Sequence, residues 1–133
     1  MVNKCMTEEQ IQIMCNDWIN ARYPEFSKLY FFNSFQGMRL NFGQIKKAKK
    51  TGGLKTGLPD FIFLKNNGVY SGLFIELKKE SPYLKNGELR TDEHLELQRD
   101  VLEQLKLEGH YACFVWSLDQ FKKIVTDYME CKL

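Results

Sequence analysis

The chain has 133 residues with 44% apolar residues, ten Phe, six Tyr, nine Gly and three Pro, a composition that excludes a disordered or fibrous chain and predicts one domain around one well-filled core. The start, Met1-Val2-Asn3-Lys4-Cys5-Met6, has no apolar core and no later apolar run nears about 18 residues, so neither a signal peptide nor a membrane span is expected. The net charge of +2 hides an asymmetry: from Phe26 to Pro59 there is no Asp or Glu, while Lys28, Arg39, Lys46, Lys47, Lys49, Lys50 and Lys55 are all positive.

Thr7-Glu8-Glu9-Gln10 reads as a capping box that opens a helix. Its repeat of Ile11, Met14, Cys15, Trp18 and Arg22 marks one side, and Pro24 stops it. Lys28 to Asn33, rich in aromatics, predicts a strand, and Asn41 to Lys50 a short basic helix closed by Gly52-Gly53. Asp60 to Lys65 and Val69 to Lys79 predict a hairpin around Asn66-Asn67-Gly68. Ser81 to Arg90 is polar and loop-like. A helix follows from about Thr91 to Glu108, with Thr91 as its N-cap and Gly109 ending it. Tyr111 to Trp116 predicts a strand buried on both faces. Ser117-Leu118-Asp119-Gln120 is a second capping box, and Phe121, Ile124, Val125 and Tyr128 line the last helix. Strand-helix-strand near the end predicts a parallel, right-handed crossover in an α/β fold.

Four cysteines, Cys5, Cys15, Cys113 and Cys131, form no Cys-x-x-Cys pair. A zinc site or disulfide framework is not expected, and reduced thiols in a cytosolic protein fit the pattern. The acid-free stretch suggests a surface for a polyanion, the alternative being a solvated basic loop and helix.

The chemistry concentrates in Gly57-Leu58-Pro59-Asp60 and, sixteen positions on from Asp60, Glu76-Leu77-Lys78. Residues two apart in a strand share a face, so Glu76 and Lys78 project together from an apolar strand, where a charge needs a partner or a metal. An edge-strand ion pair would give the same Glu-x-Lys pattern, and Glu130-Cys131-Lys132 is a decoy of that kind. Register decides whether Asp60 joins them. A two-residue Asn67-Gly68 turn sets Asp60 opposite Ile75 and away from Glu76; a three-residue Asn66-Asn67-Gly68 loop sets it opposite Phe74, on the face of Glu76 and Lys78. Two carboxylates and an ammonium on one face suit phosphodiester hydrolysis with Mg²⁺, which takes oxygen ligands and keeps several waters.

Two more polar residues fall on inward faces. Glu8 lies about 60° from Ile11 around the first helix, whereas Glu9 points nearly away; Glu8 also suits the helix dipole. Gln98 shares a stripe with Val101, Leu102 and Leu105, where it orients Lys78 or a phosphate, or satisfies a backbone group. His94, one turn earlier, reads as a solvated first-turn histidine.

Together, Glu8, Gly57-Leu58-Pro59-Asp60, Glu76-Leu77-Lys78 and Gln98, with Arg39 and the Lys50-x-x-Gly53-x-x-x-Gly57 approach, resemble the VRR-NUC (virus-type replication-repair nuclease) domain of the PD-(D/E)xK nuclease superfamily. The resemblance runs from Thr7 to about Tyr128; the longer Ser81 to Arg90 segment departs from it. It implies a restriction-endonuclease-like core, helix-strand-strand-strand-helix-strand, with a mixed sheet flanked by helices. It implies a metal-dependent nuclease in which Asp60, Glu76 and the Leu77 carbonyl bind Mg²⁺ (or Mn²⁺), Lys78 handles the attacking water, and Glu8 and Gln98 complete the site. Stand-alone members are mostly phage-type, and dimeric ones resemble Holliday-junction resolvases. Arg39, Lys46, Lys47, Lys49, Lys50 and Lys55 would then hold the backbone of branched DNA, in a homodimer with no membrane role. A sequence-specific endonuclease of restriction or homing type would share the chemistry, and a non-catalytic DNA-binding module would share the basic stretch.

Overall fold

The computed structural model describes residues 6–33, 40–53 and 57–133. The first helix, α1 (Glu8–Arg22), starts at the expected capping box: Gln10 N–H donates to the Thr7 hydroxyl, and Thr7 N–H donates to the Gln10 side chain. Its buried stripe is Ile11, Cys15 and Ile19, spaced four apart; Met14 and Trp18 are half-buried, and Arg22, expected inward, is exposed. Arg22 instead lays its guanidinium over the Tyr23 ring.

A 3₁₀ helix (Pro24–Phe26) runs on into a turn over 27–29, which takes the first two residues of the expected strand, so β1 spans only Tyr30–Phe32. The basic helix α2 (Phe42–Thr51) is capped by Asn41 and ended by left-handed Gly52. The strands β2 (Phe61–Phe63) and β3 (Leu73–Leu77) pair antiparallel, with Phe61 opposite Ile75, Ile62 opposite Phe74 and Phe63 opposite Leu73. The expected three-residue hairpin loop is not there. Residues 64–72 connect the strands, because the Asn67 side chain accepts from Val69 and Tyr70 N–H and donates to the Tyr128 carbonyl. Asn67 thus ties the connection to the last helix, α4 (Leu118–Met129), whose Tyr128 hydroxyl donates to the Lys65 carbonyl.

The next helix, α3 (Glu93–Leu107), begins one residue later than expected. Asp92, not Thr91, is its N-cap, accepting from His94 and Leu95 N–H. The carboxylate also takes up the helix dipole, which a threonine hydroxyl does less well. Strand β4 (Tyr111–Val115) pairs parallel to β3 across α3, and the sheet order is β1-β2-β3-β4. Of the second capping box only half forms: Gln120 N–H donates to Ser117, but the Gln120 side chain accepts from Trp116.

The sheet has two dressed faces. One, carrying Phe61, Phe63, Leu73, Ile75, Leu77 and Val115, packs on α1 and α4 through Ile11, Ile19, Phe121 and Tyr128. The other, carrying Ala112 and Phe114, packs on α3 through Leu95 and Leu102. Burial pushes the Cys15 and Cys113 thiols up to about 12, which keeps them protonated. Cys15, Cys113 and Cys131 are free; Cys5 lies outside the described residues. Among the described residues, no helix is long and apolar enough to cross a membrane.

Candidate active site

Strand alternation delivers the polar cluster. Because Phe61 faces Ile75, Asp60 falls opposite Glu76 one step further along, and opposed residues of an antiparallel pair share a face. That is the parity of the odd loop, reached through a longer connection. Lys78 extends the ladder, its N–H donating to the Val115 carbonyl at 2.8 Å. It therefore stands two residues on from Glu76, on the face that α3 covers. Gln98 comes down from α3 between Leu95 and Leu102. Among the described residues, Asp60, Glu76, Lys78 and Gln98 are the only polar side chains that are buried, at 6%, 2%, 9% and 3% exposure. Natural cores place few such groups, and rarely together.

Gly57 prepares the entry into β2. Its φ of 86° is left-handed, and a Cβ there would come within 3.2 Å of Leu97 and 3.3 Å of Val101 on α3. Only glycine lets the chain pass this close to the helix and turn toward Asp60.

The hydrogen bonds are few and pointed. Asp60 Oδ2 accepts from Leu77 N–H at 2.8 Å, and Gln98 Nε2 donates to Glu76 Oε1 at 2.8 Å. Glu76 Oε2 and Gln98 Oε1 are buried with no partner. Lys78 makes no salt bridge with an acid among the described residues; the ion pairs formed there all involve surface groups such as Arg90 with Glu80. Desolvation raises the Asp60 carboxyl above its ordinary range, against the pull of the Leu77 N–H and the Lys78 and His94 charges. Desolvation raises Glu76 too, and the neighbouring Asp60 and Glu8 carboxylates push the same way while Lys78 opposes them. Two acids packed so closely resist ionising together.

A cation bound between them would reverse that balance. Asp60, Glu76 and the Leu77 carbonyl offer hard oxygen donors suited to Mg²⁺, and the orphaned Glu76 Oε2 is a ready ligand atom. Among the described residues, no group of three His, Cys, Asp or Glu side chains converges as a metal cage. The protein would thus supply a minority of the ligands, as Mg²⁺ sites do, leaving the rest to water and phosphate.

Glu8 is half-buried at the start of α1 and Glu9 is exposed, as helical phase predicts. The Glu8 charge is the weakest of the influences that raise the Glu76 carboxyl. His94 was read as solvated, and its side chain is exposed, yet its Nε2 lies 3.2 Å from Gln98 Nε2. The four-residue spacing from Gln98 was the available signal. Lys46, Lys47, Lys49 and Lys50 are all exposed on α2. Arg39 and Lys55 lie outside the described residues.

No protein-family model matches the chain, and no curated protein matches it. Among solved structures the chain is similar to one described as a "VRR_NUC domain protein". The identity is 22% and the TM-score 0.65, with 96% of this chain and 91% of that chain covered. The likeness establishes the fold: an α/β, restriction-endonuclease-like architecture shared over nearly the whole length.

Proposed function

We propose, from that shared fold, that the chain is one VRR-NUC nuclease domain of the PD-(D/E)xK type, hydrolysing phosphodiester bonds of DNA with Mg²⁺ or Mn²⁺. The observation that carries this reading is the convergence of the buried polar groups Asp60, Glu76, Lys78 and Gln98 on one sheet face. Asp60 and Glu76 would hold the cation, together with the Leu77 carbonyl. When bound, the cation polarises the phosphate and acidifies a water. Lys78, buried and without an acid partner among the described residues, positions that water and stabilises charge developing on the phosphate. Gln98 holds Glu76 through Oε1, and Glu8 tunes the site from the end of α1.

The substrate in this reading is branched DNA. One compact site per chain and two opposed strands to cut favour a two-fold dimer, in the manner of a Holliday-junction resolvase of phage type working in a host cytoplasm. Wild-type protein with Mg²⁺, tested against junction, flap, duplex and single-stranded DNAs, should cut at branch points irrespective of sequence; Glu76→Ala should not cut. Cutting only at one sequence would point to a restriction-type enzyme, and DNA binding without any cutting would leave a binding module.

Two smaller expectations arise here. Glu8→Gln should cut slowly at a near-normal melting temperature, while Glu9→Gln should match the wild type, since exposed changes cost only a few tenths of a kcal/mol. Equal rates in both variants would remove Glu8 from the site. On α2, reversing Lys46, Lys47, Lys49 and Lys50 to Glu should weaken DNA binding at low salt. Each lost phosphate contact should flatten the log–log salt dependence by about 0.9. An unchanged slope would make the lysines a solvated face.

A further inference from the structure

The α2 helix buries none of its residues, and among the described residues it packs extensively on no other element. At its first position stands Phe42, 84% exposed, an unusual place for a phenyl ring that takes no part in the core. Helical phase shows what surrounds it. At about 100° per residue, Lys49, Lys46 and Lys50 lie roughly 20°, 40° and 80° from Phe42 around the axis. The ring stands between Lys46 and Lys49. Ile45 and Ala48, which are half-buried, lie roughly 60° and 120° from Phe42, beyond Lys49. Leu107 is equally bare at 86%, but it sits on α3 beside Glu108, and Lys106 there is paired with Glu103. Exposure alone is therefore not the distinguishing feature; an aromatic ring set among lysines that form no ion pair among the described residues is.

Resting on the nuclease reading, we infer that Phe42 is a stacking platform for an unpaired nucleobase of the bound DNA, with Lys46 and Lys49 holding the flanking phosphates. The lysines match a polyanion in charge, in a stretch from Phe26 to Pro59 without a single acid. A phenyl face accepts any base, so the contact selects unpaired or unstacked positions and not a sequence. That is the preference a branch-cutting enzyme needs.

The test uses full-length protein in EDTA, so that nothing is cut, and oligonucleotides with one 2-aminopurine, either in a single strand or at a bulge. Wild-type protein should quench the 2-aminopurine. Phe42→Ala should lose the quenching and bind on the order of tenfold more weakly, with a parallel salt dependence because no phosphate contact has gone. Phe42→Trp should restore both. Lys46→Ala should flatten the salt slope yet keep the quenching, and Leu107→Ala should change nothing. Circular dichroism should show each variant folded, since alanine favours an exposed helical position. Full rescue by Phe42→Leu would make the residue an apolar wedge and overturn stacking. Dissociation of a dimer by Phe42→Ala, without loss of quenching, would assign the ring to a second copy of the chain. If the wild type binds DNA in EDTA and cuts it in a parallel assay with Mg²⁺, and Phe42→Ala does both equally well, stacking alone falls. If the wild type neither binds nor cuts, the nuclease reading falls with it.

Discussion

Lys78→Ala is expected to leave the fold intact and to lower DNA cleavage on the order of 10²–10⁴-fold, the usual worth of a group that handles a proton or a developing charge. The side chain is buried on the sheet face under α3, yet it forms no ion pair with an acid among the described residues. Removing it thus breaks no salt bridge and leaves no acid newly orphaned. Its field lowers the Asp60 and Glu76 carboxyls by repelling protons, and it repels a cation in the same way, so cation binding should survive its loss far better than in Asp60→Ala or Glu76→Ala. Cleavage of end-labelled branched DNA, thermal melting and calorimetric Mg²⁺ titration separate these effects. The control is Lys132→Ala: Lys132 sits 2.7 Å from Glu130 on the surface, and its loss should be neutral. A Lys78→Ala protein that cuts at the wild-type rate would end the catalytic assignment.

Glu76→Gln should do the opposite to stability. In metal-free protein the Glu76 carboxyl is raised, by burial first and then by Asp60. The native state then binds the proton more tightly than the unfolded chain, so the Glu76 contribution to stability is greatest at low pH. Stability falls as pH climbs from the ordinary carboxylate range through the raised native value. Glutamine keeps an acceptor for Gln98 Nε2 and carries no charge to bury. In EDTA near neutral pH it should therefore be more stable than the wild type, by about 1–3 kcal/mol. Its melting temperature should also vary less with pH. With Mg²⁺ the order should reverse: ligand binding stabilises the wild type, while the variant gains little and does not cut. If Glu76→Gln melts lower than the wild type in EDTA across this range, the two acids are not in conflict.

Local signals in the sequence carried much of this. The capping box at Thr7, the inward phase of Glu8 and the two-residue step from Glu76 to Lys78 all depend on neighbours a few positions away. What escaped depends on distant partners. The residue 64–72 connection is shaped by Asn67 meeting Tyr128, sixty-one positions later, and no short-range rule contains that contact. Arg22 fits the apolar stripe in phase, but the buried line runs Ile11, Cys15, Ile19 and on to Tyr23, which takes the inward place. His94 was legible only in part: its spacing to Gln98 was visible, whereas the burial of Gln98 against Glu76 needed the parallel strand and α3 in place. Thr91 and Asp92 are adjacent capping types, and only the geometry of His94 and Leu95 N–H chose between them.

The mixed pairing of β3 has a consequence for the order of folding. Its antiparallel partner β2 lies a short connection away, whereas its parallel partner β4 must be reached across the whole of α3. Closing the shorter loop costs less chain entropy, so the β2–β3 pair is the natural early contact and the crossover the later one. In such a half-formed chain Asp60 and Glu76 are already neighbours, but neither is sheltered from water, and Gln98 has not arrived. Their conflict, and with it the appetite for a cation, is created only when α3 closes over them. On the nuclease reading, the site is complete only once the α3 crossover has closed, and a copy with that crossover open should neither hold a cation nor cut DNA.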